Sequence, residues 1–231
     1  MSRVVSLVPS VTETLLEWGV EPVGVTRFCE APGIPTVGGT KNPDLARIVA
    51  LRPDVVFMDK EENRAPDASF LAEAGVRVVA SAVRSLADVA PALARMAEAV
   101  GVEPPLQPPA APVPFTGSPP RVFVPIWRRP WMTVGGQTYG SSILTAAGFE
   151  NVFAAEADPY PAVDLADAAS RRPDFVLAPS EPYQFQEKHR PELEQVAPVV
   201  FVDGQDLFWW GARTPRALER LARMAGELAG A

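Results

Sequence analysis

The chain has 231 residues, of which 47% are hydrophobic, and its formal net charge at pH 7 is −7. So acidic a chain lacks the basic surface that neutralises phosphates, and we expect no nucleic-acid partner. No apolar run approaches the roughly 20 residues of a membrane span, and no basic-then-apolar leader precedes the first strand. As written, the protein is therefore expected in the cytoplasm and not embedded in a membrane.

Short apolar runs alternate with amphipathic segments in the first 101 residues, which is typical of an α/β fold. Ser10 or Thr12 can cap the first helix, with Glu13 completing a capping box, and Gly19 ends it. The predicted order is strand 4–8, helix 12–19, strand 23–26, helix 43–51, strand 55–58, helix 67–74, strand 76–80 and helix 85–101.

A proline-rich stretch then interrupts the pattern. Residues 102–120 contain eight prolines and almost no periodic apolar residues, which predicts an extended linker of polyproline type. We therefore divide the chain into an N-terminal lobe (1–101), this linker and a C-terminal lobe (121–231). The second lobe is predicted to contain strand 121–126, helix 141–147, strand 151–153, helix 165–170, strand 175–178, helix 191–196, strand 199–203 and helix 215–229.

An Arg-Pro-Asp turn followed by an apolar strand occurs twice, at 52–54 and at 172–174, which are 120 positions apart. Neighbouring segments match in the same order at similar offsets. The alternative is that the repeat reflects only the alternation of strands and helices found in any βαβ protein, but this does not explain the shared Arg-Pro-Asp motif. The spacing therefore predicts two similar lobes.

Polar residues follow the first of these strands without a spacer, and ligands of open α/β sheets bind at such strand ends. Lys60, Glu62 and Asn63 are candidate ligand contacts, although a charged run of this kind can also be a plain solvated loop. The loop 38–42, with its paired glycines, is expected to face this run. The segment 135–142 opens a helix and can offer backbone amides to an anion, but it lacks the lysine of a P-loop.

Aromatic residues cluster in three loops of the second half, beside charged ones. Core packing accounts for some of them, but tryptophans next to arginines indicate a half-exposed surface for a flat ligand, whose polar groups the arginines would meet. The residues concerned are Trp127, Arg128, Arg129, Trp131, Tyr183, Phe185, Asp206, Phe208, Trp209, Trp210 and Arg213.

Histidine is too scarce for several kinds of chemistry. His189 is the single histidine, and its neighbours predict a solvated helix start. One imidazole cannot supply a zinc or manganese site, and a serine or cysteine nucleophile would need a histidine base in reach. We therefore expect no bare metal ion, no intrinsic cofactor and no enzyme.

Two stretches, VVSLVPSVTETLLEWGVEPVGV and VGGTKNPDLARIVALRPDVVFMDKEEN, resemble the substrate-binding proteins of cobalamin and iron-siderophore ABC importers, also called helical-backbone metal receptors. RVFVPIW, LTAAGFENVF, RRPDFVLAPS and DLFWWGARTPRAL extend the likeness to the second half. The resemblance implies a class III periplasmic-binding-protein-like fold with two Rossmann-like lobes, joined by a long helix, and a ligand in the cleft between them. Here the proline-rich stretch stands in place of that helix, which leaves the lobes free to change their relative angle.

The resemblance also implies where function lies. Phe28 and Cys29 fall at the mouth of the expected cleft, although a lone thiol is more often a small hydrophobe than a ligand. Docking to an ABC permease would use one exposed acid per lobe, and the candidates are Glu61, Glu62 or Asp67 and Glu181 or Glu187. Family members are exported, so an extracytoplasmic location follows if a leader has been removed.

The sequence therefore predicts a monomeric binding protein for a metal chelate, with a corrinoid such as cobalamin preferred and a haem or ferric siderophore next. Two alternatives remain open at this point. One is a cytoplasmic interaction module that kept the fold without transport. The other, an enzyme acting on a tetrapyrrole, rests only on fold analogy.

Overall fold

The computed structural model describes residues 2–103 and 117–230. Within these residues the chain forms two compact units. The first unit contains the residues up to Val83, residues 87–103 and the segment Trp210–Ala212. The second unit contains Arg84–Leu86, residues 117–209 and residues 213–230. Most of the predicted linker falls on residues 104–116, outside the described part, so its conformation stays a prediction.

The first unit is built on a four-stranded parallel sheet of order β2-β1-β3-β4. Its apolar strand residues pack with helix residues such as Ile48 and Leu71 into one core. The elements are β1 Val4–Ser6, α1 Pro9–Glu17, β2 Gly24–Val25, α2 Leu45–Ala50, β3 Val55–Asp59, α3 Ala65–Glu73, β4 Arg77–Ser81 and α4 Leu86–Val100.

The second unit contains a parallel sheet of order β11-β10-β5-β8 and an antiparallel sheet of order β6-β7-β9. Phe123, Phe153 and Val176 lie at the centre of its core. The strands are β5 Arg121–Phe123, β6 Pro125–Trp127, β7 Trp131–Thr133, β8 Glu150–Asn151, β9 Ala162–Val163, β10 Phe175–Pro179 and β11 Val199–Val202. The helices are α5 Tyr139–Ala146, α6 Leu165–Ser170, a 3-10 turn Glu187–His189, α7 Arg190–Leu193, α8 Gly204–Phe208 and α9 Thr214–Ala229.

Both parallel sheets have the same strand order when β1, β2, β3 and β4 are matched with β5, β8, β10 and β11. The Arg-Pro-Asp turn makes the same hydrogen bonds in each unit. Asp54 Oδ2 accepts the Arg3 backbone N–H at 2.6 Å, and the Asp54 N–H donates to the Arg3 carbonyl at 2.8 Å. The corresponding distances between Asp174 and Arg121 are 2.8 and 2.7 Å. The turn therefore fixes the first strand of each unit beside the strand that follows the turn. The α/β fold class predicted from the sequence is confirmed.

The prediction for the start of the first helix is wrong. The helix begins at Pro9, and Val8 at its N-cap supplies no side-chain hydrogen bond. Proline is favoured at the first helical position because its fixed φ suits a helix and its missing N–H would have no partner there. Ser10 and Thr12 are thus buried helix residues, and the Thr12 hydroxyl donates to Ser6 Oγ at 2.8 Å.

The single strand predicted over 121–126 is also wrong, because it divides into β5 and β6, which belong to different sheets. Pro125 has no N–H to continue the parallel ladder, so the chain leaves that sheet at this point. The Val124 carbonyl between the two strands instead accepts a hydrogen bond from Thr133 Oγ1 at 2.7 Å. The sequence pattern did not predict β7, β9 or α8, which are only two to five residues long.

The two Arg-Pro-Asp turns allow a test of local strain. Arg52 and Arg172 have φ angles of 48° and 53°, in the left-handed region that costs an L-residue about 1 kcal/mol or more and costs glycine little. We expect Arg52→Gly and Arg172→Gly each to raise the free energy of unfolding in urea by roughly 0.5–1 kcal/mol. Arg95→Gly, at an exposed position inside α4, should lower it by a similar amount. A loss of stability at position 52 or 172 would contradict this explanation.

Candidate functional site

The polar end of the first sheet is a tight turn that follows β3. Asn63 is buried, and its side chain is fully used by the backbone: Oδ1 accepts from the Asp59 N–H at 2.8 Å, while Nδ2 donates to the carbonyls of Leu7 and Thr40 at 3.3 and 2.9 Å. A buried amide with three backbone bonds has a structural role. We therefore leave Asn63 out of the ligand surface that we propose below.

Lys60 and Glu62 lie in the same turn but reach the surface to different extents. The Lys60 side chain is exposed, and its backbone N–H bonds to the Ser81 carbonyl at 2.9 Å. Glu62 is half-buried. Both side chains therefore remain candidates for ligand contact.

The loop 38–42 packs against this turn, as predicted. Lys41 Nζ donates to the Glu61 carbonyl at 2.6 Å, and the Thr40 carbonyl accepts from Asn63. Gly38 has φ +96°, and a Cβ there would lie 2.8 Å from the Asn42 carbonyl. The close approach permitted by the paired glycines is thus an approach within their own loop.

Asp59 is a buried carboxyl of the first unit with a raised pKa. It ends β3, is 6% exposed and accepts a hydrogen bond from the Glu61 N–H at 2.8 Å. Burial, opposed by this bond, raises the pKa of Asp59 from its ordinary value near 3.8 to about 6. The strand end therefore holds a carboxyl that changes charge just below neutral pH.

Cys29 and Phe28 lie in the loop after β2. The Cys29 sulfur is 3.1 Å from Thr12 Oγ1 and 3.2 Å from Thr26 Oγ1, and burial raises the pKa of the thiol. A thiol that resists ionisation is a poor metal ligand. Phe28 is 52% exposed, with the Arg27 guanidinium 4.8 Å from its ring centre. Within residues 2–103 and 117–230, no group of three or more His, Cys, Asp or Glu side chains is arranged to hold a metal ion.

Two of the three predicted aromatic loops meet in the second unit. The Trp127 ring meets the Tyr183 ring edge-on at 5.6 Å, and the Trp131 ring stacks on Phe185 at 5.9 Å with an interplanar angle of 7°. Tyr183 and Phe185 are 4.8 Å apart. Trp127 is 45% exposed whereas Phe185 is 4% exposed, so the cluster has a buried side and a solvent side. We call these four residues the aromatic face.

The hairpin between β6 and β7 supplies two arginines to this face. Arg128 lies with its guanidinium carbon 6.0 Å from the Trp131 ring centre, and its Nε and one terminal nitrogen are 2.9 and 2.7 Å from the same oxygen of Glu192. This hydrogen bond raises the pKa of Arg128. Arg129, at φ 68°, is exposed. Sequence reasoning missed Glu192, since no pattern connects positions 128 and 192.

His189 is buried behind the aromatic face, and the prediction of a solvated helix start is wrong. Its Nδ1 accepts from the Gln186 backbone N–H at 3.0 Å, and its Nε2 is 3.4 Å from the Tyr183 hydroxyl. Its ring also meets the Phe185 ring edge-on. Burial lowers the pKa of His189, with Lys188 and Arg128 acting in the same direction and Glu192 opposing them. A neutral imidazole thus supports the face from behind.

The third aromatic loop differs from what the sequence predicts. The expectation of half-exposed rings is wrong for Trp209 and Trp210, which are 9% and 5% exposed, and these rings contribute to the core. Phe208 is half-buried and packs close to Gly140, where an added Cβ would lie 3.0 Å from its ring. Among the described residues the ring contacts join the first two loops, and the convergence of the third loop with them stays a prediction.

The charged partners of this loop belong to its local structure. Asp206 is 5% exposed and accepts from Arg220 Nε at 2.6 Å. Arg213 donates to Gln205 Oε1 at 2.9 Å, and its guanidinium lies 5.2 Å from the Trp209 ring centre. Asp206 is therefore buried in an ion pair with Arg220, while Arg213 is half-buried.

The glycine-rich segment before α5 packs closely against residues 154–158, and the anion cradle suggested by the sequence stays a prediction. A Cβ on Gly135 would lie 2.3 Å from the Asp158 carbonyl oxygen, and one on Gly136 would lie 2.0 Å from the Ala154 carbonyl oxygen. The Gly135 N–H donates to the Pro159 carbonyl at 2.9 Å, so this amide is not available to an anion. Thr138 caps the helix by accepting from the Ser141 N–H at 3.2 Å, so the segment serves close packing.

The acids proposed for docking differ in accessibility. Asp67 is 6% exposed and cannot present its charge to a partner as well as a surface residue can. Glu62 and Glu181 are half-buried, whereas Glu61 and Glu187 are exposed. Glu187 already pairs with Arg190 at 2.6 Å.

None of the helices in the described ranges has the length and apolar character of a membrane span.

Comparison with known sequences places these features in context. The sequence profile described as "Periplasmic binding protein" matches residues 4–104. The vitamin B12-binding protein of Salmonella paratyphi A is 30% identical over 190 residues, which cover 76% of this chain and 71% of that protein. The vitamin B12-binding protein of Vibrio parahaemolyticus is 27% identical over 195 residues, which cover 77% and 70%.

Solved structures share the fold at lower identity. The periplasmic vitamin B12-binding protein of Vibrio cholerae superposes with a TM-score of 0.75 and 17% identity, covering 98% of this chain and 97% of that one. A periplasmic heme-binding protein from Roseiflexus sp. RS-1, in apo form, gives a TM-score of 0.78 and 19% identity, covering 99% of both chains. These likenesses establish the fold.

The raised pKa of Asp59 predicts a pH-dependent stability. Between about pH 3.8 and about pH 6 the folded protein binds this proton more tightly than the unfolded chain does. The contribution of protonated Asp59 to the free energy of unfolding is therefore complete at low pH and is lost as the pH rises through 6. We expect the stability of Asp59→Asn relative to wild type to increase by about 3 kcal/mol between about pH 3.5 and about pH 7. Urea unfolding at several pH values measures it, with exposed Glu98→Gln as the control. Parallel pH curves for wild type and Asp59→Asn would refute the assignment.

Proposed function

The chain belongs to the periplasmic binding protein family, and on that premise we propose that it is a substrate-binding protein for a corrinoid, which it delivers to the permease of an ABC importer. The family consists of solute-binding proteins, so the ligand is cargo and no catalytic step is assigned. The family model is named for periplasmic binding proteins and solved structures of the same fold are periplasmic by name, which supports a place of action outside the cytoplasm.

The observation that carries the proposal is the aromatic face of the second unit. Trp127 presents 45% of its surface to solvent, and Trp131 stacks beside it on a buried phenylalanine. A half-exposed tryptophan supported by buried rings presents a flat apolar surface, and such a surface suits a planar macrocycle. Stacking of this kind needs no coordination of the metal by the protein, which agrees with the scarcity of histidine.

The choice of a corrinoid rests on sequence similarity. The relatives at about 30% identity that cover three quarters of the chain are vitamin B12-binding proteins. Haem is the second candidate, because heme-binding proteins share the fold and because the exposed Arg129 suits a carboxylate. A ferric siderophore or a non-transport interaction module has no specific observation of this structure in its favour.

The proposed partner is the membrane permease of the importer. Of the acids considered for docking, Glu61 in the first unit and Glu187 in the second are exposed. Surface charges of this kind act mainly on the rate of association and on the choice of partner.

Tryptophan fluorescence tests ligand binding directly. We expect dicyanocobinamide and cyanocobalamin to quench the intrinsic emission saturably, after correction for their absorption. Trp127→Ala should weaken binding about tenfold, because it removes an exposed ring and leaves the core intact. Trp209→Ala is the contrasting variant: its ring is 9% exposed, so it should lower thermal stability.

Haemin and a ferric siderophore are tested in the same assay. Saturable quenching by haemin alone would replace the corrinoid with haem. If none of these compounds changes the corrected emission at high micromolar concentration, the chelate-binding proposal is refuted.

A further inference from the structure

The ion pair between Arg128 and Glu192 sits at the edge of the aromatic face. Glu192 belongs to α7 and Arg128 to the β6–β7 hairpin, so the pair connects the hairpin that carries Trp127 and Trp131 to α7. The side chains are 22% and 35% exposed, so the pair is partly shielded yet open to a ligand. Its position beside Trp131 places it where substituents on the rim of a stacked ring would lie.

The geometry of the pair leaves one donor side and one acceptor side. Arg128 Nε and one terminal nitrogen both donate to Glu192 Oε2. Arg128 also bonds to the Tyr183 side chain, and because a guanidinium has five N–H groups, donors remain for a ligand. Glu192 Oε1 makes no hydrogen bond among the described residues. The pair therefore offers a ligand both a donor and an acceptor.

A primary carboxamide has the complementary pattern, because its carbonyl oxygen accepts and its NH₂ donates. A carboxylate has two acceptor oxygens and a negative charge, so one oxygen would face Glu192 and be repelled. The pair also cancels the positive charge that Arg128 alone would offer to a carboxylate. The exposed Arg129 nearby does favour carboxylates, but solvent and salt screen an exposed charge strongly.

We propose that the Arg128–Glu192 pair is a specificity element that selects ring ligands bearing carboxamides over ring ligands bearing carboxylates. Glu192 acts both as an acceptor for the amide and as the negative charge that rejects the acid. The inference rests on the proposed function, because it assumes that a macrocycle stacks on the aromatic face.

Two corrinoids that share one ring provide the test. Dicyanocobinamide carries carboxamides on its rim, and dicyanocobyrinic acid carries carboxylates at the same positions. We expect the wild type to bind the amide form at least about tenfold more tightly at fixed ionic strength, measured by tryptophan quenching and by calorimetry. Glu192→Gln should reduce this ratio about tenfold, mainly by improving binding of the acid.

Glu194→Gln is the matched control. It removes the same charge two positions further along, where the carboxylate pairs with Arg190 at 3.5 Å instead of with Arg128. The control should keep the wild-type ratio. Thermal unfolding followed by circular dichroism verifies that both variants fold, and Glu192→Ala serves as a second variant at the same position.

The outcomes separate this inference from the proposed function. If the wild type binds neither corrinoid, both are refuted. If it binds the amide form and Glu192→Gln leaves the ratio unchanged, the function stands and the specificity element is refuted. An equal change in Glu192→Gln and Glu194→Gln would assign the effect to overall charge, and this also refutes the role of the pair.

Discussion

The fold of each unit depends on one reciprocal exchange of hydrogen bonds between an arginine backbone and an aspartate. In the first unit Arg3 and Asp54 exchange bonds of 2.6 and 2.8 Å, and Arg121 and Asp174 do so in the second. Two bonds at a single residue fix the pairing of the central strands, and a slip by one residue would turn every strand side chain to the opposite face. Because the register is fixed at one end of the strand, the opposite end delivers its polar or aromatic loop to a constant place.

The features that sequence reasoning could predict are those with a local cause. The Arg-Pro-Asp turn combines a proline and an aspartate in the positions that such a turn requires, and the apolar run that follows predicts a buried strand. Both turns and both strands are present. The approach of loop 38–42 to the turn after β3 was also predicted from the sequence, because both segments were expected at the same edge of the sheet.

The features that could not be predicted depend on contacts between distant positions. Arg128 and Glu192 are 64 positions apart, and nothing in either neighbourhood identifies the other as its partner. Trp131 and Trp209 are the same residue type and both have a charged residue within three positions, yet only Trp209 is almost completely buried in the core. His189 has charged neighbours that indicate solvent, but the aromatic loop before it covers its ring.

The rings of the aromatic face are held in place by the buried residues behind them. Phe185 belongs to the apolar core of the unit, and Trp131 and Tyr183 pack against that same core. His189 receives a backbone hydrogen bond at Nδ1, so its ring cannot turn without breaking it. Rings that are fixed before the ligand arrives lose little conformational entropy on binding, whereas mobile surface rings would each lose about 0.5–1.5 kcal/mol. In the proposed site the single histidine of this chain therefore acts as a buried support for the aromatic face, a role that its chemistry as a metal ligand would not suggest.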